Sequence, residues 1–148
     1  CKNLSASNKV MSRMIWGCQW DVTCNWIANY GDKKNISDSS TWGNYYGTSV
    51  KASDGTTEIK KSDKQQILDT GITTFTRANN IYDFAGNCLE WTQEASSTGS
   101  RAFRGGRYDY YYSGSFGPAS LRFSFNPTDG NYSYLRFSSH FNSATLSN

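Results

Sequence analysis

The stretch Asn80-Ile81-Tyr82-Asp83-Phe84-Ala85-Gly86-Asn87-Cys88-Leu89-Glu90-Trp91-Thr92, followed further on by Arg104-Gly105-Gly106, decides how the rest of the chain is read. Gly86-Asn87 is a pair that accepts positive φ, so it closes a tight turn into a strand over 88–92. Along that strand successive side chains point to opposite faces, which separates Glu90 from Trp91. If Trp91 enters the core, Glu90 must face solvent or meet a cation, and the expected partner is Arg104, Arg122 or Arg136 in a structural ion pair. Gly105-Gly106 at a strand end allows a bend or a close approach to a neighbouring segment.

Working outward, the spacing of Ile15, Cys18, Val22 and Trp26 predicts an amphipathic helix over 12–29, with Gly31 as its stop signal. Met14, Trp16 and Trp20 widen the apolar face, and Trp20, Trp26 and Trp91 are expected to be buried. From 47 to 80 the composition shifts to Ser, Thr, Asp, Gly and Lys, which reads as a long surface excursion with Lys60, Lys61 and Lys64 on a solvated face. Beyond it, short runs at 88–92 and 101–104 flank a hairpin loop at 96–100. Residues 120–125 and 131–137 alternate around a turn at 126–130. Helix first and strands after predicts an α+β fold with an antiparallel sheet.

The 148 residues are expected to form a single domain. A net charge of +3 with scattered basic residues gives no concentrated footprint for phosphates, so nucleic acid is not an expected partner. Mean hydropathy is -0.68, and no apolar run approaches the roughly 18 residues of a spanning helix, so membrane insertion is not expected. Cys1, Cys18, Cys24 and Cys88 form neither a close metal-ligand pair nor a disulfide framework. Cys18 and Cys88 are read as inert small hydrophobes inside a helix and a strand. No metal and no cofactor are expected. Cys1 reads as a fragment boundary in preference to a lipid-modified end.

The quoted stretch with Arg104-Gly105-Gly106, together with Gly17-Cys18-Gln19-Trp20-Asp21 upstream, resembles the signature of the formylglycine-generating-enzyme-like branch of the C-type lectin fold. Pro118-Ala119-Ser120-Leu121-Arg122 and Asn126-Pro127-Thr128 are similar to the variable proteins of diversity-generating retroelements, found in phages and bacteria. The resemblance spans 12–137. It departs from the family where Tyr134-Leu135-Arg136 stands in place of Gly-Phe-Arg, and where the family's N-terminal strands and first helix have no counterpart before Ser12. The chain is accordingly expected to be the C-terminal part of a longer protein or a trimmed version of the fold.

Composition breaks sharply late in the chain. Residues 1–106 hold 8 Lys, 3 Glu, 4 Gln, 2 Met and 5 Trp, while residues 107–148 hold none of these. At the upstream frequency about nine would be expected there. The resemblance supplies a cause: such retroelements replace template adenines, and an AAC or AAT codon can then become about fifteen residues, among them Tyr, Ser, Asp, Gly, Phe, Leu, Arg and His, but never Lys, Glu, Gln, Met or Trp. The diversified, ligand-binding positions within a variable region of about 107–134 would be Arg107, Asp109, Tyr110, Tyr111, Tyr112, Phe116, Gly117, Leu121, Phe123, Ser124, Phe125, Asp129, Gly130, Asn131, Tyr132, Ser133 and Tyr134. Tyr108, Pro118, Ala119, Arg122 and Pro127 would be scaffold. Tolerance of diversification requires the variable positions to be largely solvent-accessible, including Leu121, Phe123 and Phe125, whose alternation would otherwise mark an inner face.

Tyr mixed with Ser, Gly and Asn is the composition of antibody paratopes, because Tyr offers a large amphipathic contact area with few torsions to freeze. The expected function is ligand binding without catalysis: a hypervariable receptor-binding surface on a phage tail or a bacterial surface adhesin, with a cell-surface protein or glycan as partner. One alternative is a formylglycine-generating-enzyme-like enzyme, active or inactive. The copper oxidases of that branch use a late cysteine pair, which is lacking after Cys88, and the iron sulfoxide synthases use several histidines, where His140 is the only one. A glycan-binding lectin is the other alternative, although Phe125-Asn126-Pro127 lacks the carboxylates that calcium prefers.

Overall fold

The computed structural model describes residues 14–113 and 117–126. It is a mixed α+β structure with one helix and small antiparallel sheets among the described residues. In chain order these are α1 (Gly17–Asn29), β1 (Val50–Lys51), β2 (Glu58–Lys60), β3 (Arg77–Ala78), β4 (Ile81–Tyr82), β5 (Glu90–Ser97), β6 (Ser100–Arg104) and β7 (Phe123–Phe125). β1 pairs with β2, β3 with β4, and β5, β6 and β7 form one sheet in that order.

Helix α1 starts where Trp16 adopts an extended backbone and donates its N–H to Gln19 Oε1 at 2.9 Å. Gln19 thus supplies half of a capping box; Trp16 has no side-chain oxygen to return the bond. The helix is shorter than the predicted 12–29, and residues 12 and 13 lie outside the described ones. Its phase also differs. Gly17, Trp20, Cys24 and Ile27 face inward, whereas Cys18, Val22 and Trp26 are exposed. Trp26 was expected in the core. The physical reason is Gly17: a Cβ there would lie 1.9 Å from Glu94 Oε2, so the helix meets β5 most closely on its glycine side. That contact turns the predicted apolar stripe outward.

The segment 47–80 is less of an excursion than its composition predicts. It doubles back through β1 and β2, with Val50 and Lys60 opposite each other and both buried. Lys60 is therefore not on a solvated face. Its Nζ donates to the Tyr45 and Thr48 carbonyls at 2.7 Å each and to the Lys64 carbonyl at 3.4 Å. An ammonium can be buried when backbone oxygens replace its water shell. Lys61 and Lys64 are exposed as predicted.

Asn79 and Asn80, with φ of 50° and 66°, make the two-residue turn between β3 and β4. Positive φ at both central residues suits the right-handed twist of a hairpin. β5 begins at Glu90, two residues later than predicted, and the β5–β6 hairpin turns within the predicted loop. Of the predicted strand 120–125 only Phe123–Phe125 is paired, against β6. The predicted strand 131–137, and positions 127–130 of the turn before it, lie outside the described residues.

Two apolar cores result. One gathers Trp20, Cys24 and Ile27 of α1 with Trp42, Tyr45, Ala78, Phe84, Ala85 and Ala119; the Trp20 and Phe84 rings stack at 4.0 Å. The other is Leu89, Trp91 and Phe103, with Met14, Leu121 and Phe125 packed against it. Trp20 and Trp91 are buried as expected.

Candidate ligand-contact surface

Residues 104–113 leave the sheet through Gly105 and Gly106, both at positive φ. A Cβ on Gly106 would sit 1.9 Å from the Gly117 carbonyl oxygen, and one on Gly117 would sit 1.8 Å from the Tyr112 carbonyl oxygen. The glycines therefore let three backbone segments pass at contact distance, which is the close approach the Gly-Gly pair predicts. Asn87, at φ 59°, ties the region together. Its carbonyl accepts from Tyr108 N–H, its Oδ1 accepts from Asn44 Nδ2 and Leu68 N–H, and its Nδ2 donates to the Leu68 carbonyl.

The first group of candidate positions lies on a turn beside Tyr46. Arg107 forms an ion pair with Asp109 and places its guanidinium 4.8 Å from the centre of the Tyr110 ring. Tyr46 N–H donates to the Tyr110 carbonyl at 3.1 Å, and the Tyr46 and Tyr111 rings meet edge to face at 4.8 Å. Gln65 Nε2 donates to the Asp109 carbonyl at 3.4 Å. Tyr110 and Tyr111 are exposed, the latter at 55%, while Asp109 is half-buried and Tyr112 packs against the first core. Arg107 is buried, contrary to the expected accessibility, because its charge is neutralised locally and its plane is covered by Tyr110.

The second group follows Gly117, which is also buried, since it fills the crossing just described. Ala119 is pinned in the core: its carbonyl accepts from Trp20 Nε1 at 3.0 Å and its N–H donates to Ser39 Oγ at 3.0 Å. Ser120 N–H donates to the Ile36 carbonyl at 3.0 Å. Arg122 pairs with Asp21 of α1 and, at 3.0 Å, with Glu94 of β5. Past these holds, Phe123 and Phe125 lie along β6 with ring centres 5.7 and 5.4 Å from Phe103. Phe123 is exposed at the sheet edge; Leu121, Ser124 and Phe125 are half-buried. The accessibility expected of Leu121 and Phe125 is thus only partial: pairing with β6 puts Phe125 on the same face as Phe103, where it covers the margin of the second core. Phe116, Asp129, Gly130, Asn131, Tyr132, Ser133 and Tyr134 lie outside the described residues, as does His140.

The ion pair expected at Glu90 goes elsewhere. Arg104, 2% exposed, pairs with Asp21 at 2.6 Å and with Glu94 at 3.8 Å; Arg122 uses the same two carboxylates, and Arg136 lies outside the described residues. The register of β5 shifts between Trp91 and Ala95, and Glu94 rather than Glu90 meets the helix. Glu90 is half-buried, and desolvation, aided by the charge of Asp83, pushes its carboxyl up to about 7. Burial likewise pushes the Cys24 and Cys88 thiols up to about 11 each, which disfavours the nucleophilic thiolate. Cys18 is exposed on the outward stripe of α1, so it is not the inert buried hydrophobe that was expected. Tyr46 and Gln65 were not legible as neighbours of the candidate positions, because nothing in their local spacing separates them from ordinary turn residues.

No family model, curated protein or solved structure matches this chain. Among the described residues no helix is long and apolar enough to cross a membrane, and no group of three or more His, Cys, Asp or Glu is placed to hold a metal ion.

Proposed function

We propose that this chain is a ligand-binding protein with the formylglycine-generating-enzyme-like C-type lectin fold, whose residues 107–134 form a surface diversified by a retroelement. Its setting would be a phage tail or a bacterial cell surface, and its partner a cell-surface protein or glycan bound without catalysis. The observation that carries this reading is the way residues 118–122 are held. The holds run through the backbone of Ala119 and Ser120 and the guanidinium of Arg122, none of them diversified positions, while Tyr110, Tyr111 and Phe123 are exposed. A fold anchored in this way tolerates change at the exposed aromatics, and exposed aromatics serve as binding anchors. Gly117 leaves the variable set on this view, since a side chain there would collide with the Tyr112 carbonyl.

The tyrosine rings at Tyr46 and Tyr111 offer an apolar face and a hydroxyl, which suit a protein or a glycan ligand alike. The test is a displayed library randomised at Tyr110, Tyr111, Phe123 and Ser124, with a second library randomised at Gly117. Most members of the first should fold and differ in ligand preference, and nearly all members of the second other than glycine should fail to fold. A first library that mostly unfolds would overturn the proposal.

A further inference from the structure

Gln65 and Tyr46 stand outside the variable region yet hold its first turn. Gln65 Nε2 donates to the Asp109 carbonyl at 3.4 Å, and the Tyr46 N–H donates to the Tyr110 carbonyl at 3.1 Å. Both holds fall on main-chain oxygens, so they persist whatever side chain diversification puts at 109 or 110. The Gln65 side chain is exposed, and its bond to Asp109 uses one of two amide hydrogens. The second hydrogen and Oε1 make no bond among the described residues, one position from the exposed Tyr110 and Tyr111.

Size makes such neighbours part of the contact with a protein. Of the seventeen candidate variable positions, Arg107 and Gly117 are buried, so at most fifteen can touch a ligand. A specific protein interface takes about 20–30 residues from each side. The remainder must come from constant residues, and those bonded to the turn itself are first in reach. A constant residue can serve many ligands only through a feature that all of them share. Among proteins that feature is the peptide group, with its N–H donor and carbonyl acceptor. A primary amide offers the matching acceptor and donor. We propose, resting on the ligand-surface reading above, that Gln65 is a constant binding residue of that surface and takes a main-chain peptide group of a protein ligand. Tyr46 is a positioning residue: its N–H fixes the turn at Tyr110, and its ring meets Tyr111 edge to face, so the amide and the variable rings stay side by side.

The test starts from the library randomised at Tyr110, Tyr111, Phe123 and Ser124, selected separately on lysozyme and on serum albumin as two unrelated protein probes. Introduced into the selected binders, Gln65→Ala should raise the dissociation constant about three- to ten-fold on both probes, the effect of one or two hydrogen bonds. Gln65→Glu, of the same size but without the N–H groups, should do the same, and it stands in for the alanine variant if that fails to fold. Melting temperature and amide exchange at Tyr110 should not change, because Tyr46 and Asn87 still hold the turn. Binders indifferent to both substitutions, or weakened on one probe only, overturn the inference and leave the ligand-surface reading intact. So does a loss of affinity accompanied by faster exchange at Tyr110, which would make Gln65 a prop of the turn alone. A library that folds but yields no binder to either probe overturns both.

Discussion

The Trp20 indole N–H donates to the carbonyl of Ala119 at 3.0 Å, joining helix α1 to a residue 99 positions later in the chain. The same ring stacks on Phe84 and faces the Arg104 guanidinium at 5.9 Å. One side chain thereby links the helix, the Asn80–Thr92 stretch, the end of β6 and the segment that precedes β7.

Trp20→Phe should keep most of the apolar burial but remove the donor and leave a partly filled site. A loss of about 2–3 kcal/mol is expected from the orphaned carbonyl and the missing ring volume. Amide hydrogen exchange should show the loosening first at Ser120 and Leu121, whose N–H groups bond to Ile36 and Pro118. Exchange unchanged at those two amides would contradict the linking role.

Asp21→Asn and Arg122→Gln break the same network at different depths. Arg104 is almost fully buried, and after the first change the new amide oxygen can still accept from it but the nearest charged partner would be Glu94 at 3.8 Å, so a loss of about 1–3 kcal/mol is expected, discounted for the half-exposed Asp21. Arg122 is half exposed, and its removal should cost less than about 1 kcal/mol. Urea unfolding of the two variants gives the order; a reversed order would show that Arg104 does not depend on Asp21.

Glu90 predicts a pH dependence with a definite sign. Its carboxyl titrates near 7 in the folded chain and near the ordinary 4.5 when unfolded, so between those values the folded state binds more protons. Stability from this group is present at low pH and falls as pH rises towards and through 7. Glu90→Gln should therefore raise the melting temperature at pH 8 and change it little at pH 4.5. A melting temperature raised equally at both values would remove ionisation as the cause.

Lys60→Met keeps the length of the side chain and deletes the ammonium. The Tyr45 and Thr48 carbonyls then lose their donor inside the fold, at a cost of about 2–4 kcal/mol in thermal or urea unfolding. Because this turn carries Tyr46, the Tyr46–Tyr111 contact should loosen as well, visible as altered tyrosine fluorescence. A variant as stable as the wild type would mean that water substitutes for the ammonium.

The local features of the fold were legible where a few adjacent residues suffice to set geometry. Gly86-Asn87 takes positive φ because few other pairs do so cheaply, and within the Ser-Thr-Gly run at 96–100 the hairpin turns at Thr98-Gly99, with Ser97 and Ser100 already paired at the strand ends. Gly106 was legible as a close approach, but not what it approaches. The helix was legible in existence and not in phase: apolar residues recur on two sides of α1, so periodicity alone selected Ile15, Cys18, Val22 and Trp26 over Trp20, Cys24 and Ile27.

The sequence by itself determined that a helix precedes the sheet of β5 and β6, the Gly86-Asn87 turn, the burial of Trp20 and Trp91, and the compositional break after residue 106, since these depend on neighbouring residues and on counts; it did not anticipate β1, β2 or β3 within the segment before residue 80. Tertiary structure alone decided which helix face turns inward, that Lys60 is buried, that Arg104 and Arg122 choose Asp21 and Glu94 over Glu90, and that Gly117 admits no side chain. Each of those outcomes turns on a distance between segments far apart in the chain: Gly17 against Glu94, Lys60 against Tyr45, Arg104 against Asp21, Gly106 against Gly117. Burial of a charge and clearance for a single carbon atom are fixed by those distances, and neither residue type nor spacing along the chain encodes them separately.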